Sequence, residues 1–386
     1  MKASAYRPRV LHLNEQLGWR GGEHQMLYLA RGLHQAGIDT AVAVQPGSTA
    51  GAAARRADVR VHELAMRGEA DLAAALRIAR IARRERFNIL HAHTSHAHML
   101  ALTAARMFQC GARVIAHRRI EFPVGRAALG LARLKYVLGV DAFIAISNRV
   151  KETLIEAGVP EWRVFVVRSV TDPGQFVHAA QDPQLRARLG IPGDALVVGN
   201  IGALVDHKDH RTLLEACRTV RDERPDTWVV IVGDGPLRAA IESKARSLHM
   251  ADRLVLTGFR QDIPQLIRTF DVFALSSSEE GMCSTLLEVA ACGLPIVAAD
   301  AGGVREAVLP DVTGLIVPIR SPRRLAQGIL KLANHPDIAR ELAERGRRRV
   351  LRDFTIERLT DRTLAVYDRV LRGRVGPRHP AGYLAD

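Results

Sequence analysis

Two glutamates, Glu280 and Glu288, flank the start of a predicted helix, and their type and spacing fit ligand binding. A predicted strand, Val272–Leu275, leads through a polar loop and Gly281 into this helix, for which Ser284 is the expected N-cap. Free N–H groups and the helix dipole at such a start attract anions. Glu280 could accept hydrogen bonds from sugar hydroxyls, and Glu288, about two turns later, could reach a second ligand group. Surface glutamates are also common beside helices, so spacing alone leaves both interpretations open.

The motifs that would indicate other chemistries are mostly missing. There is no Gly-Lys pair for a Walker A loop, and Gly233-Asp234-Gly235 has Arg238 where a dinucleotide fingerprint needs a third glycine. A D-x-D and an H-E-x-x-H signature are absent as well. The pair Gly302-Gly303 follows the next predicted strand and places a second glycine loop beside the first. A kinase-like NTPase and a classical dehydrogenase are therefore disfavoured, and we expect chemistry without a bound metal.

Histidines form a second group of candidate residues. His91, His93, His96 and His98 follow one another closely, and alternate residues on a strand point the same way. Zinc binding is disfavoured because no Cys or acidic residue lies nearby in sequence, and ordinary packing remains an alternative. The segment His117-Arg118-Arg119 directly follows the next predicted strand, Arg113–Ala116, where it could hold an anionic group or form a solvated loop.

Short apolar runs alternate with helical patterns along the whole chain, which predicts parallel sheets covered by helices. The predicted strands are Val10–Leu13, Thr40–Val44, Ile89–Ala92, Arg113–Ala116, Ala142–Ile146, Ala195–Ile201, Trp228–Val232, Arg253–Thr257, Val272–Leu275 and Ile296–Ala299. At 386 residues the chain suits two domains, and the Pro- and Gly-interrupted stretch Arg168–Gln184 is the expected linker, with the boundary near Phe176. An amphipathic helix is predicted over Ile356–Leu371.

The chain is basic, with 55 Lys and Arg against 41 Asp and Glu and a formal charge of +14. Residues 1–175 carry +11, residues 176–339 carry −2 and residues 340–386 carry +5. This asymmetry fits an anionic substrate, a membrane surface or a nucleic acid, and a general arginine bias would also produce it. The four sparse cysteines, the absence of a signal peptide and the lack of a long apolar run favour a cytoplasmic protein.

The motif Glu280-x7-Glu288, followed by Ala291-Cys292-Gly293-Leu294-Pro295 and Gly302-Gly303, resembles the retaining glycosyltransferases of family 4. The resemblance continues through Gly233-Asp234-Gly235-Pro236, Gly258-Phe259 and Thr313-Gly314-Leu315-Ile316-Val317-Pro318. More weakly, it extends to Gly21-Gly22-Glu23 and His91-Ala92-His93. It implies a GT-B fold of two Rossmann-like parallel-sheet domains facing a central cleft. Residues 1–175 would form the acceptor side and 176–353 the nucleotide-sugar domain. Residues 354–373 would be a closing helix that returns to the first domain, and 374–386 a loose tail.

The same resemblance implies a role for individual residues. Glu280 would hold the donor sugar, Glu288 the ribose and Lys208 the diphosphate, while His93 would face the donor sugar. Together with Glu280 and Lys208, His93 makes up the predicted catalytic group. The remaining donor-binding candidates are Gly202, Gly233, Gly281, Met282, Cys283, Ser284 and Thr285. The acceptor-side candidates are Gly21, Gly22, Glu23, His117 and Arg118.

Two departures from the family pattern concern the donor site. Ala203 stands where the family usually has an Arg beside Lys208, and His207, His210 or Arg211 could compensate. The usual Asn-Gly of the linker is Ser169-Val170 here.

The resemblance implies a retaining enzyme that moves a sugar from a nucleotide-sugar to a hydroxyl acceptor and needs no cofactor beyond that co-substrate. The charge favours an anionic or lipid-linked glycan precursor of the cell envelope, met at the inner face of the cytoplasmic membrane. A nucleotide-sugar epimerase or phosphorylase-like enzyme is the alternative within the fold. A basic nucleic-acid-binding protein is disfavoured because few aromatic residues are available for stacking.

Overall fold

The computed structural model describes residues 7–119, 139–180 and 182–376. The chain forms two compact units, Met1–Val170 with Ile356–Asp386 and Thr171–Thr355. The chain passes from the first unit to the second between Val170 and Thr171, a few residues before the predicted boundary at 175/176. The backbone N–H of Val170 donates to Gln25 Oε1 at 2.9 Å, and its carbonyl accepts from Gln25 Nε2 at 2.6 Å. Most of the predicted loose tail, residues 377–386, lies outside the described residues.

The first unit is built around a sheet of seven parallel strands in the order β3-β2-β1-β4-β5-β6-β7. The strands are β1 (Arg9–Asn14), β2 (Asp39–Val44), β3 (Arg60–Glu63), β4 (Ile89–Ala92), β5 (Arg113–Arg118), β6 (Ala142–Ala145) and β7 (Val164–Val166). The described helices are α1 (Gly21–Gln35), α2 (Thr49–Arg56), α3 (Leu72–Arg84), α4 (Ser95–Leu102), a π-helical turn (Thr103–Met107) and α5 (Asn148–Glu156).

The last described helix of the chain, Ile356–Leu371, packs in the first unit, as the family resemblance implies. It lies so close to α1 that a Cβ added at Gly32 would approach Thr360 Oγ1 to 2.1 Å. Its Tyr367 is fully buried in the same apolar core as Leu29 of α1 and Ile115 of β5. Glycine at position 32 therefore permits the close helix contact on which this core depends.

The second unit contains a sheet of six parallel strands in the order β10-β9-β8-β11-β12-β13. The strands are β8 (Leu196–Ile201), β9 (Thr227–Val232), β10 (Leu254–Leu256), β11 (Val272–Leu275), β12 (Ile296–Ala299) and β13 (Leu315–Val317). The helices are α6 (Pro173–Val177), α7 (Leu185–Arg188), α8 (His210–Glu223), α9 (Arg238–Ser247), α10 (Ile263–Ile267), α11 (Ser284–Ala291), α12 (Val304–Ala307), α13 (Pro322–Asn334) and α14 (Pro336–Asp353), and Ile356–Leu371 is α15.

Every predicted strand is present with small changes at its ends, but β3, β7 and β13 were not predicted. All three lie at the edge of a sheet and have only three or four residues. An edge strand has one neighbour and needs no long apolar run, so its sequence signal is weak. None of the helices in the described part of the chain combines the length and apolarity needed to cross a bilayer.

Candidate functional site

In the second unit, the loops after β8 and β11 lie side by side because these two strands are neighbours in the sheet. The loop after β8 contains a short 3₁₀ turn, Asp206–Lys208. Ser276 Oγ donates to the carbonyl of Lys208 at 2.9 Å, and the amide of Ser278 donates to the carbonyl of His207 at 2.8 Å. These bonds hold the two loops together at the carboxyl edge of the sheet, where open α/β sheets bind ligands.

Lys208 and Glu280 meet at this edge in a largely buried ion pair. Lys208 Nζ lies 2.6 Å from Glu280 Oε1, and the two side chains are only 18% and 9% exposed. The same oxygen accepts a hydrogen bond from Ser277 Oγ at 2.8 Å. Burial alone would lower the pKa of Lys208, but Cys283 and Glu280 outweigh it and raise that pKa, so the ammonium stays charged. The structure thus brings together the two residues that sequence reasoning assigned to the donor diphosphate and the donor sugar.

The start of α11 differs from the prediction that Ser284 is its N-cap. The N-cap is Cys283, which has φ of 61° in the left-handed region and makes no side-chain capping bond. The prediction was wrong because the chain turns sharply at Cys283 behind Met282, which is fully buried, and helical geometry is already established at Ser284. The first amides of an α-helix have no acceptor within the helix, so those of Ser284 and Thr285 are available to an anion.

The second glycine loop supports the first. The amide of Gly303 donates to the carbonyl of Glu280 at 3.0 Å, and Gly302 has φ of 52°, which favours glycine. The loop after β12 therefore braces the backbone of Glu280. This contact explains why a glycine pair follows β12, and it assigns Gly302 and Gly303 to the support of the site.

Gly233 was predicted to bind the donor, and its surroundings show a structural requirement for glycine. It has φ of 140°, and an added Cβ would lie 2.0 Å from the carbonyl oxygen of Gly202. Its amide donates to the carbonyl of Gly258 at 2.9 Å. Gly233 thus lets the ends of β8 and β9 approach each other below the turn that carries Lys208, whose side chain runs 3.5 Å from the Cβ position of Gly202.

Glu288 lies about one turn into α11, and its carboxylate accepts no hydrogen bond among the described residues. Burial raises the pKa of Glu288 to about 7. A carboxyl group with this pKa changes charge near neutral pH, so its capacity to accept hydrogen bonds from a ligand changes there too.

The three residues that could compensate for Ala203 are not equivalent in the structure. His210 is buried, and burial followed by the nearby Lys208 lowers its pKa to about 4, so it carries no charge near neutral pH. Arg211 Nε pairs with Glu215 Oε1 at 3.0 Å along α8. His207 is exposed beside Lys208. Of the three, His207 is the one whose side chain stays open to a ligand.

In the first unit, four buried histidines gather where β1, β4 and β5 run side by side. They are His12, His91, His93 and His117. The rings of His91 and His93 are 4.3 Å apart, and those of His91 and His117 stack at 5.4 Å. His12 was not predicted as a site residue, although its position in the strand Val10–Leu13 signals it: in the sheet register it faces His91 directly.

Hydrogen bonds order this cluster from both sides. Tyr367 Oη of α15 lies 2.7 Å from His91 Nδ1. Arg119 donates to His93 Nδ1 at 2.8 Å, and His93 Nε2 lies 2.9 Å from His12 Nδ1. Burial, with Arg119 next in effect, lowers the pKa of His12 to about 3, and burial also holds the pKa of His93 well below its usual range. The rings are therefore neutral at physiological pH.

Ligand atoms of His12, His91 and His93 all lie within 4.8 Å of one another. Three protein ligands is the number found in a catalytic zinc site. The hydrogen bonds favour a different state. Because a guanidinium can only donate, His93 Nδ1 accepts from Arg119 and its proton sits on Nε2, facing His12. A metal at this point would need that Nε2 lone pair, so the ring arrangement fits a hydrogen-bonded chain better. The expectation of metal-independent chemistry stays a prediction.

The acceptor-side candidates separate into two kinds. Glu23 accepts from Asn14 Nδ2 at 3.1 Å and from the amide of Arg20 at 2.9 Å, so it caps the start of α1. Arg118 donates to His98 Nδ1 at 2.8 Å. By contrast, neither ring nitrogen of His117 has a hydrogen-bond partner among the described residues, and both nitrogens are buried.

The glycines Gly21 and Gly22 form the first turn of α1, and Arg119 lies against them: its Cδ is 3.6 Å from the Cβ position of Gly22. His96 is half exposed, 3.7 Å from Glu15 Oε1, and stands apart from the buried cluster. Arg119 was a candidate for holding an anionic group, but its contact with His93 could not be predicted from sequence spacing.

Two Rossmann-like parallel sheets, each with its polar loops at the carboxyl ends of the strands, define the GT-B class of glycosyltransferase. The chain aligns over 93% of its length, and over 99% of the other chain, with Anabaena HepE in complex with UDP and glucose, at a TM-score of 0.82 and 19% identity. It also aligns with the lipopolysaccharide outer core galactosyltransferase WaaB, at a TM-score of 0.71 and 14% identity over 94% and 99% of the two chains. These likenesses confirm the predicted fold class.

Two family models match consecutive parts of the chain. Residues 19–175 match "Glycosyltransferase Family 4" and residues 181–349 match "Glycosyl transferases group 1". The chain therefore belongs to the group 1, family 4 glycosyltransferases and is an enzyme of that class. Among curated relatives, it is 25% identical over 349 residues to the lipopolysaccharide core biosynthesis glycosyltransferase LpsE of Rhizobium meliloti, covering 88% of this chain and 94% of the relative. It is 24% identical, over 77% and 79%, to the Escherichia coli UDP-Gal:alpha-D-GlcNAc-diphosphoundecaprenol alpha-1,3-galactosyltransferase.

Proposed function

We propose that this protein transfers a sugar, with retention of configuration, from a nucleotide-sugar to a hydroxyl of an anionic or lipid-linked glycan precursor in cell-envelope synthesis. The observation that carries the proposal is the buried pair of Lys208 and Glu280 beside the start of α11. Binding a sugar diphosphate requires a cation, a carboxylate that accepts hydrogen bonds from the sugar hydroxyls, and a helix start that attracts the phosphates. The names of the relatives, a lipopolysaccharide core enzyme and a diphosphoundecaprenol-dependent enzyme, support the acceptor class.

The catalytic contribution of these groups follows from where charge develops. As the bond between the sugar and the phosphate breaks, negative charge grows on the departing nucleoside diphosphate. Lys208 and the amides of Ser284 and Thr285 stabilise that charge without reorganising. Glu280 keeps the sugar oriented through its hydroxyls. For retention, the acceptor attacks from the face that the diphosphate leaves, and the leaving phosphate oxygen takes the acceptor proton.

Purified protein tests the proposal directly. We expect a UDP-sugar, the donor type seen with HepE, or another nucleotide-sugar to raise the melting temperature. Nucleoside diphosphate should then be released only when a lipid-linked or phosphorylated glycan acceptor is added. Epimerised nucleotide-sugar without an acceptor, or release dependent on inorganic phosphate, would instead indicate an epimerase or a phosphorylase. Binding of DNA or RNA at physiological salt, with no response to any nucleotide-sugar, would contradict the enzyme proposal.

The pKa of Glu288 gives the donor site a pH dependence. If Glu288 accepts hydrogen bonds from the ribose, donor affinity should rise by up to about tenfold between pH 6 and pH 8, because the ionised fraction of a group with a pKa near 7 changes by that factor. Titration calorimetry with UDP measures this effect. The Glu288→Gln variant is the control, since titration of the UDP phosphate affects both proteins equally. An identical pH profile in the two would remove Glu288 from the donor site.

The same pKa predicts a change in stability with a definite sign. The folded-state pKa of Glu288 is raised above the ordinary 4.5, so its protonated form contributes stability that is present below pH 4.5 and lost as pH rises through about 7. Glu288→Gln should therefore melt at a higher temperature than the wild type at pH 8, and this advantage should shrink toward pH 5.

A further inference from the structure

Helix α3 carries an unusual exposed face. Its thirteen residues include four arginines and no acidic residue. Arg77, Arg80, Arg83 and Arg84 are all exposed, and Arg77, Arg80 and Arg84 lie on one stripe at helical spacing. Arg84 pairs with Glu85 at 2.9 Å. The other three arginines form no ion pair within the described residues, and of these Arg77 interacts electrostatically with the N-cap carboxylate of Asp71. A run of about 10 Å of helix therefore presents net positive charge.

Apolar side chains accompany these arginines. Leu72, the first residue of α3, is 52% exposed. Met107 is 62% exposed at the end of the π-helical turn that packs against α3. Together with the four arginines, these two residues make up what we call the α3 face. Arginines flanked by exposed apolar side chains are typical of surfaces that enter the headgroup region of a bilayer.

The α3 face is also connected to the candidate site in the same unit. Ser95 Oγ, at the start of α4, donates to Glu69 Oε1 at 3.2 Å. This bond places the beginning of α3 beside the residue that comes two positions after His93. From there α3 runs back along the sheet, and its first arginine, Arg77, lies five residues, or about 8 Å, beyond the start of the helix.

We propose that the α3 face docks this enzyme on an anionic lipid bilayer, from which it takes a lipid-anchored acceptor. The inference rests on the proposed function for its acceptor class and goes beyond it in naming the surface. Charge complementarity favours an anionic bilayer over a neutral one. The exposed leucine and methionine favour a bilayer over a nucleic acid, because the α3 face has no aromatic residue on which a base could stack.

Co-sedimentation with vesicles tests the docking surface. The wild type should sediment with vesicles made of equal parts phosphatidylcholine and phosphatidylglycerol, and it should dissociate from them at high salt. With vesicles of pure phosphatidylcholine, the protein should stay in the supernatant. Each arginine near an anionic surface contributes about fivefold in partitioning, so Arg77→Gln, Arg80→Gln and Arg83→Gln combined should weaken binding on the order of a hundredfold. Leu72→Ser, which keeps every charge, should weaken it by a smaller factor.

The control variant removes the same charge elsewhere. Arg323, Arg340 and Arg348 are exposed in the second unit, and none has an ion-pair partner among the described residues. The triple Gln variant of these three should bind vesicles within about threefold of the wild type, because it changes net charge without changing the α3 face. Equal losses in the two triple variants would show that total charge drives binding and would overturn the proposal. Wild-type protein that ignores anionic vesicles, or that prefers duplex DNA to them, would overturn it as well.

Transfer assays separate this inference from the proposed function. With an acceptor freed of its lipid, the α3 variant should turn over donor at the wild-type rate, because these arginines lie outside the donor and histidine sites. With the acceptor embedded in anionic vesicles, the α3 variant should be slower by at least tenfold in kcat/KM. If no donor is consumed with any acceptor, the proposed function fails while the vesicle result still decides the docking surface.

Discussion

Lys208→Met should lower sugar transfer by on the order of a hundredfold or more, because it removes the cation beside the growing negative charge of the leaving diphosphate. Glu280→Gln should cause a loss of similar size. It keeps the side chain's shape but removes the charge that holds Lys208 in place at 2.6 Å. Initial rates of nucleoside diphosphate release measure both effects. The double variant should be little worse than either single variant, since the two residues act as one unit.

Stability gives the same experiment a second readout. Each single variant leaves one charge buried without its partner, which destabilises a protein by about 3 kcal/mol. Arg238→Met is the matched control. Arg238 forms an ion pair with Glu242 at 3.1 Å on α9 of the same unit, and both side chains of this pair are more than 40% exposed. It should change neither transfer nor melting temperature noticeably. Near-normal transfer by Lys208→Met and Glu280→Gln would remove both residues from the site.

Gly233→Ala should destabilise the second unit by about 3 kcal/mol or more. The new methyl group would lie 2.0 Å from the backbone oxygen of Gly202, and alanine rarely adopts φ of 140°. Because the contact is with backbone, no side-chain rotation relieves it. For a unit of this size, a drop of about 6–12 °C in melting temperature is expected. Gly193→Ala is the matched control, since an added Cβ there meets nothing within 4 Å and its φ is not positive.

The Gly233 result also bears on what the glycine motif does. If Gly233 served only to admit a ligand, Gly233→Ala would weaken donor binding while leaving the melting temperature unchanged. The geometry predicts the reverse order of effects, with stability lost first and donor binding lost as a consequence of the displaced turn that carries Lys208. Measuring both in one preparation distinguishes the two roles.

Sequence alone predicted the fold well where the physical signal is local. Alternating apolar strands and amphipathic helices predicted both sheets, and only short edge strands such as Arg60–Glu63 and Leu315–Val317 were missed. The N-cap of α11 was wrong because a positive φ at Cys283 depends on the packing of Met282 and has no signature in residue type. The amphipathic pattern of Ile356–Leu371 predicted a helix, whereas its placement in the first unit came from the family resemblance.

The site was predictable in part for a similar reason. Lys208 and Glu280 are far apart in sequence, and it was the family pattern that related them; no spacing rule could have given their direct ion pair. His12 was missed, and the contact of Arg119 with His93 was not predicted, because both contacts with His93 arise from strands that are neighbours only in the folded sheet. The internal use of Glu23 and Arg118 was hidden as well, since a charged residue in a glycine-rich or basic segment looks available until its partner is seen.

Under the proposed function, the buried pair of Lys208 and Glu280 would make recognition in the second unit conditional on two chemical features at once. A ligand that offers only a phosphate gains the ammonium group but leaves a carboxylate at 9% exposure without its counter-charge. A ligand that offers only hydroxyls meets a carboxylate already engaged by an ammonium group. A sugar diphosphate would satisfy both partners in a single binding event. The proposed donor site would therefore select a ligand that carries both a phosphate and hydroxyl groups, whereas inorganic phosphate and free sugars each offer only one of the two.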